Sequence, residues 1–259
     1  MIVDAFPFFD ELELLEVRLH ELSSVVDRFV LVEATRTHSN RPKPLHYHEN
    51  RDRFRAFADR IVHVVVDDLP ETGDAWEIEK SQRDAVARGL DGCSPDDAIL
   101  VSDLDEIPRA SRVAEAVSSL PVANGPASRW LHAVVRSRFV RHPLRRWFKR
   151  RHPFLVVFEH TAYLGSLNLR APARKCLGTR LCRLRDFTRA RELRGLGGRV
   201  IEDGGWHFSS MGGVERVRAK LAAFAHRELD VPSLTDPERL HRALAEGADL
   251  YGRPEPWQR

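Results

Sequence analysis

Four short apolar runs, each followed by a helical pattern, constrain the fold of this 259-residue chain more than any other feature. Residues 2–6, 28–33, 61–66 and 98–102 are too short for helices and rich in valine, isoleucine and phenylalanine, which suit a pleated, buried strand. The third run, IVHVVV, has the β-branched density of a strand buried on both faces. Between the first two, residues 10–22 set Leu12, Leu15, Leu19 and Leu22 at spacings of three and four, the stripe of an amphipathic helix. Residues 50–60, 74–90 and 111–120 read as further helices, the second ending near Gly89 and the third before Pro121. Such alternation implies an α/β fold: a Rossmann-type, mostly parallel sheet flanked by helices.

The rest of the chain is less regular. Residues 130–140 and 154–158 read as strands flanking an arginine-rich connection, and residues 161–199 carry no pattern that assigns them. A short strand at 206–209 is followed by C-terminal helices at about 214–228 and 236–246.

The fourth run continues into DDAILVSDLDEIP, residues 96–108. On extended backbone, residues i and i+2 point to the same side, so Asp103 and Asp105 face one ligand while Leu104 packs inward. The carboxyl ends of parallel strands are where open α/β sheets bind ligands. Two carboxylates converging there suit a hard divalent cation, Mg2+ or Mn2+, that shares its remaining positions with diphosphate oxygens and offsets charge on a departing nucleoside diphosphate. The plainer alternative is a solvated acidic turn.

Charge is unevenly spread. The formal net charge is only +3, yet residues 51–110 are acid-rich while 136–152 and 170–199 are dense in arginine, an acidic site beside a surface suited to an anion. Cys93, Cys176 and Cys182 lack CxxC spacing, so neither a disulfide framework nor a zinc site is expected. The opening residues lack the basic segment of a signal peptide, and IVHVVV is far below the ~20 residues of a membrane span. A soluble cytoplasmic protein is the expectation.

Longer blocks carry a more specific signal. Residues 4–22 (DAFPFFDELELLEVRLHEL), 25–45 (VVDRFVLVEATRTHSNRPKPL), 61–70, 75–90 (AWEIEKSQRDAVARGL), 96–109 and 203–228 (DGGWHFSSMGGVERVRAKLAAFAHRE) resemble glycosyltransferase family 17, the bisecting β-1,4-N-acetylglucosaminyltransferase family. The resemblance implies a GT-A-like fold, a divalent metal, a UDP-sugar donor such as UDP-N-acetylglucosamine, and inversion at the anomeric carbon. Residues 1–120 would then be the donor-binding half, ending in the DxD motif. Residues 121–259, where the match over 121–200 is weak, would be the acceptor-binding half of the same compact domain.

Within that resemblance His207, from GGWHFS, either joins Asp103 and Asp105 as a metal ligand or meets the leaving diphosphate. Asp4, Glu33 and Asp68, at or near the strand ends, are candidates for the uracil or ribose. Arg83, with Asp84 beside it, and Lys220 are placed to hold the diphosphate, and Trp76 to cover the donor. An inverting transfer needs a carboxylate to deprotonate the acceptor hydroxyl. Asp203 and Glu106 are the first candidates, with Glu159 and Glu228 behind them. For each of these residues the plain alternative is a core or surface side chain. His226 shares a helix with Lys220, and His38, His46 and His48 read as loop surface.

Six of residues 141–151 are Arg or Lys, which suits an anionic acceptor such as a phosphorylated or lipid-linked glycan. Trp147 and Phe148 could stack on a sugar or touch a membrane surface. Other classes fit less well. A haloacid-dehalogenase-like phosphatase wants its aspartate pair after the first strand, and a nucleotidyltransferase wants a glycine-rich loop that residues 1–15 lack. A nucleic-acid-binding protein using RHPLRRWFKRRHP would leave the acidic motif without a role, so no nucleic acid is expected.

Overall fold

The four apolar runs are strands β1 (Ile2–Phe8), β2 (Arg28–Ala34), β3 (Ile61–Val66) and β4 (Ala98–Val101) of a computed structural model that describes residues 1–120 and 152–253, without the side chains of 172–174. Strands β5 (Glu106–Pro108), β6 (Val156–Leu164), β7 (Arg170–Arg183) and β8 (Arg199–Ser209) extend the same sheet. Among the described residues the strand order is β3-β2-β1-β4-β7-β6-β8-β5. Four of the seven pairings are parallel: β1 with β2 and β4, β2 with β3, and β6 with β8. The β4–β7, β6–β7 and β5–β8 pairings are antiparallel.

Strand periodicity divides the core. Phe6 and Phe8 of β1 join one apolar cluster, whereas Val3 and Ala5 join another on the opposite face. The first cluster receives Leu15, Leu19 and Leu22 of α1 (Leu12–Leu22) and Tyr47 of α2 (His46–Glu49). It also takes Phe54 and Phe57 of the 3-10 segment Arg51–Arg60, and Val113 and Ala116 of α4 (Ala110–Ser118). The second takes Ile78 of α3 (Ala75–Asp84), a helix that Asp74 caps by accepting the Trp76 N–H at 2.9 Å, and Ala190 and Leu193 of α5 (Ala190–Arg194). A third cluster joins Leu164 of β6 to α6 (Gly213–Ala223) and α8 (Pro237–Glu246), with α7 (Pro232–Thr235) between them. No helix among the described residues is long and apolar enough to cross a membrane.

Several expectations need correction. IVHVVV is not buried on both faces: β3 stands at the sheet edge, paired with β2, and Val65 is 38% exposed. Residues 74–90 are not one helix, since α3 passes into a 3-10 turn at Ala85–Gly89. The helix expected to reach residue 228 stops at Ala223, because Phe224 is extended. The unassigned residues 161–199 hold the end of β6, all of β7 and α5. The strand expected at 130–140 and the basic residues 141–151 lie outside the described residues.

Candidate active site

Strand β1 lies between β2 and β4, so the sheet order reverses there, and ligands of α/β sheets sit outside such a point. A cavity of about 560 Å³ opens at the carboxyl ends of β1, β2 and β4. Phe8 and Phe9, Thr37 and His38, and Asp103 to Asp105 line it from these three strands, with His207 of β8 and Lys220 of α6 opposite. Seven Arg and Lys side chains face four carboxylates, Glu11, Glu79, Asp103 and Asp105. Such a lining favours an anion.

The acidic turn is fixed from beneath by Arg18. This side chain has no exposed surface, and an arginine buried so deeply must be paired and fully hydrogen-bonded. Nε and Nη2 donate to the two oxygens of Asp4 at 2.7 and 2.6 Å, and Nη2 also donates to Ser102 Oγ at 2.6 Å. Nη1 donates to the carbonyls of Asp103, Leu104 and Glu106 at 3.0, 3.1 and 3.0 Å. Asp4 is therefore the anchor of the turn's clamp. With no exposed surface, it is not brought to the cavity as a nucleotide contact.

Asp103 and Asp105 face different partners. Asp103 Oδ1 pairs with Arg83 Nη1 at 2.6 Å, and its Oδ2 with Arg194 Nη2 at 2.8 Å. Burial pushes this carboxyl up, but Arg194 and Arg83 outweigh it and hold it well below the usual carboxylate range. Asp105 Oδ2 accepts from Lys220 Nζ at 2.9 Å, while Oδ1 faces His207 Nε2 at 3.6 Å. His207 Nδ1 lies 3.0 Å from Cys176 Sγ. Burial alone would lower the imidazole, yet Asp105 and the Cys176 contact lift it to about 9. Lys220 is raised by Asp105 and Glu11 against the effect of its burial.

These residues can be tested as a seat for a divalent cation. Two donors each about 2.1 Å from one Mg2+ lie no more than about 4.2 Å apart, and the Asp105–His207 separation of 3.6 Å falls within that limit. The pair fits. Asp103 does not join it, because both its oxygens are turned to guanidinium groups. Among the described residues no set of three or more His, Cys, Asp or Glu side chains is arranged around one ion. A cation here would take two ligands from Asp105 and His207 and the remainder from its substrate or solvent.

The other expected residues divide between the cavity and its surroundings. Arg83, Lys220, Trp76, His38 and His226 line the cavity. Arg83 is fixed by Glu79, which accepts from its Nε at 2.9 Å, and His38 by Gln82 at 2.8 Å. Glu33 is buried beneath the β2 end, accepting from Lys43 at 3.3 Å and the Tyr47 N–H at 3.2 Å, with His63 Nε2 at 3.0 Å. Asp84 holds Arg191 rather than facing the cavity, and Asp68 pairs with Arg88 on the exposed surface at 2.8 Å.

The expected bases are not in the cavity lining either. Asp203 pairs with Arg109 at 2.9 Å, at a left-handed residue (φ 47°) where β8 bulges against β6. Glu106 is 3% exposed, accepts the Asp103 N–H at 3.1 Å and pairs with Arg194. Glu159 pairs with Lys175 at 2.9 Å and Glu228 with His226 at 2.7 Å. The glycines of GGWHFS serve packing: a side chain on Gly205 would strike the backbone of Ile107 and Pro108 in β5.

Arg18, Arg194, Glu11 and Cys176 were not among the expected residues. Arg18 had a signal, because a charge at the centre of the Leu15–Leu19–Leu22 stripe requires a buried partner. Arg194 stands in an arginine-dense stretch that gives no means of choosing one arginine.

Fold and cavity together define an α/β protein with a cavity rich in Arg and Lys at the carboxyl edge of its sheet. Residues 1–120 match the model of glycosyltransferase family 17, so this stretch carries that family's sequence. Over 116 residues, 41% of the chain, it is 34% identical to the beta-1,4-mannosyl-glycoprotein 4-beta-N-acetylglucosaminyltransferases of Rattus norvegicus and Homo sapiens. The chain spans about one fifth of the length of these relatives, 21% and 22%. The family match includes Asp4, Arg18, Arg83, Asp103 and Asp105, and ends before Arg194, His207 and Lys220.

Proposed function

We propose that this chain is a glycosyltransferase that moves a sugar, N-acetylglucosamine first among the candidates, from a UDP-sugar to a hydroxyl of a glycan, with inversion and with a divalent cation. The observation that carries the reading is the facing pair Asp105–His207 beside Lys220, at the carboxyl end of β4 in a cation-lined cavity. That β4 edge belongs to the stretch matching the family. The cavity volume of about 560 Å³ suits a small-molecule ligand.

In this reading residues 1–120 form the donor half and later residues the acceptor side. Asp105 and His207 hold the cation, whose chemistry when bound is to neutralise charge on the departing diphosphate. Lys220 presents a second positive charge beside Asp105. Arg83 and Arg194, already converged on Asp103, supply planar donors suited to phosphate oxygens. Arg18 keeps the turn rigid so that these groups meet the ligand preorganised. The basic residues 141–151 support an anionic glycan, such as a lipid-linked one at a membrane surface, as acceptor.

The test is UDP release from UDP-N-acetylglucosamine and other nucleotide sugars, with and without Mn2+ or Mg2+. Turnover confined to UDP-sugars and requiring the cation is expected. Equal turnover of GDP-sugars, or turnover untouched by chelation, would overturn the donor and metal assignments.

A further inference from the structure

We propose that Glu11 is the general base of this site, taking the proton of the acceptor hydroxyl. The inference rests on the glycosyl-transfer reading above. As the acceptor oxygen bonds to the anomeric carbon, its proton passes to the Glu11 carboxylate. The bond from that carbon to the diphosphate oxygen breaks, and its electron pair leaves on the nucleoside diphosphate.

A base must reach the substrate, which narrows the choice sharply. Among the described residues the cavity is lined by four carboxylates, and the remaining residues contain one acidic side chain, Glu255. Three of the four are bound tightly to cations. Asp103 lies between Arg83 and Arg194, Asp105 accepts from Lys220 at 2.9 Å, and Glu79 accepts from Arg83 at 2.9 Å. A carboxylate so paired has little affinity for a proton.

Glu11 differs from all three. Its cation contact is the distant Lys220 Nζ at 3.9 Å, and its Oε2 accepts a hydrogen bond from the Asp10 N–H at 3.2 Å. Its side chain is 20% exposed, so a hydroxyl can reach it. It occupies the N-cap position of α1 yet makes no side-chain cap hydrogen bond, which leaves the carboxylate without that structural duty.

The surroundings also place it suitably. Lys220 bridges from Glu11 to Asp105, so Glu11 borders the cation and diphosphate end without belonging to it. Facing charges are Lys220 from α6, Asp105 from the acidic turn and the neighbouring Asp10, while Arg216 of α6 pairs with Asp10 and Glu13. Burial pushes the Glu11 carboxyl up more than Lys220 pulls it down, which increases its affinity for a proton.

The experiment compares the whole wild-type chain with Glu11→Gln and Glu11→Asp. It measures UDP release from UDP-N-acetylglucosamine with water as acceptor, and UDP-sugar affinity by calorimetry. Glu11→Gln is expected to lower turnover at least ~100-fold and to lose the acidic limb of the pH profile. Its donor affinity should stay within about twofold, as for a group that acts in the transition state alone. Glu11→Asp should retain part of the turnover and the acidic limb. If wild type turns over and Glu11→Gln matches it within about threefold, or loses donor affinity in proportion, Glu11 is not the base. If the wild type releases no UDP from any UDP-sugar, the glycosyl-transfer reading falls and takes the base assignment with it.

Discussion

Arg18 and Asp4 form an ion pair with no exposed side-chain surface, 2.6 Å between Nη2 and Oδ1, and through it helix α1 holds the backbone of the acidic turn. The pair links the first strand, the first helix and the residues that face the cavity. Its value lies in geometry, because burying two charges offsets much of their attraction.

Removing one partner should therefore be costly. Asp4→Asn leaves the Arg18 charge uncompensated, and a loss of about 3–5 kcal/mol in unfolding free energy is expected from denaturant titration. A loss below about 1 kcal/mol would show that Arg18 finds other compensation and that the clamp described here is not rigid.

Asp105 and Asp103 should separate on substitution. Asp105→Asn removes a carboxylate from the Asp105–His207 pair, so Mn2+-dependent turnover should fall by two orders of magnitude or more, about 2.7 kcal/mol of barrier, with the fold retained. Asp103→Ala leaves Arg83 and Arg194 without their shared partner, so a drop in melting temperature should accompany any loss of turnover. Near-normal cation-dependent turnover in Asp105→Asn would remove the metal role from this residue.

Away from the cavity, Glu33 should set part of the acid sensitivity. Burial pushes its carboxyl up, but His63, Lys43 and the Tyr47 N–H outweigh this and hold it below its usual value near 4.5. The stabilisation it contributes is full above that usual value and is lost as pH falls through the lower folded value. Wild type should exceed Glu33→Gln in urea midpoint at pH 7, with the gap closing below pH ~4. A gap that stays constant with pH would contradict the pairing.

How far this architecture can be read without coordinates depends on distance along the chain. AILVS running into DLD is local, so the strand, its exit and the two aspartates were legible from period and residue type. That Asp103 and Asp105 face different partners was not. Arg194 reaches Asp103 across 91 positions and Lys220 reaches Asp105 across 115. Asp4 looked like a ligand contact because nothing in β1 announces its pairing with Arg18 on the next helix. Strand β7 was hidden by Pro172, Gly178 and five charged residues, which break the alternation that marks a strand. IVHVVV misled because β-branched density records strand propensity, and burial also depends on the number of neighbouring strands.

The central claim is that Asp105 and His207 hold a divalent cation that a UDP-sugar completes. Calorimetry of UDP binding to the wild type, His207→Ala and Asp105→Asn, with and without Mn2+, tests it most directly. The account predicts tight binding by the wild type only with Mn2+, and at least ~10-fold weaker binding, about 1.4 kcal/mol, in each variant. Equal UDP affinity with and without Mn2+, or variants that bind as the wild type does, would contradict it.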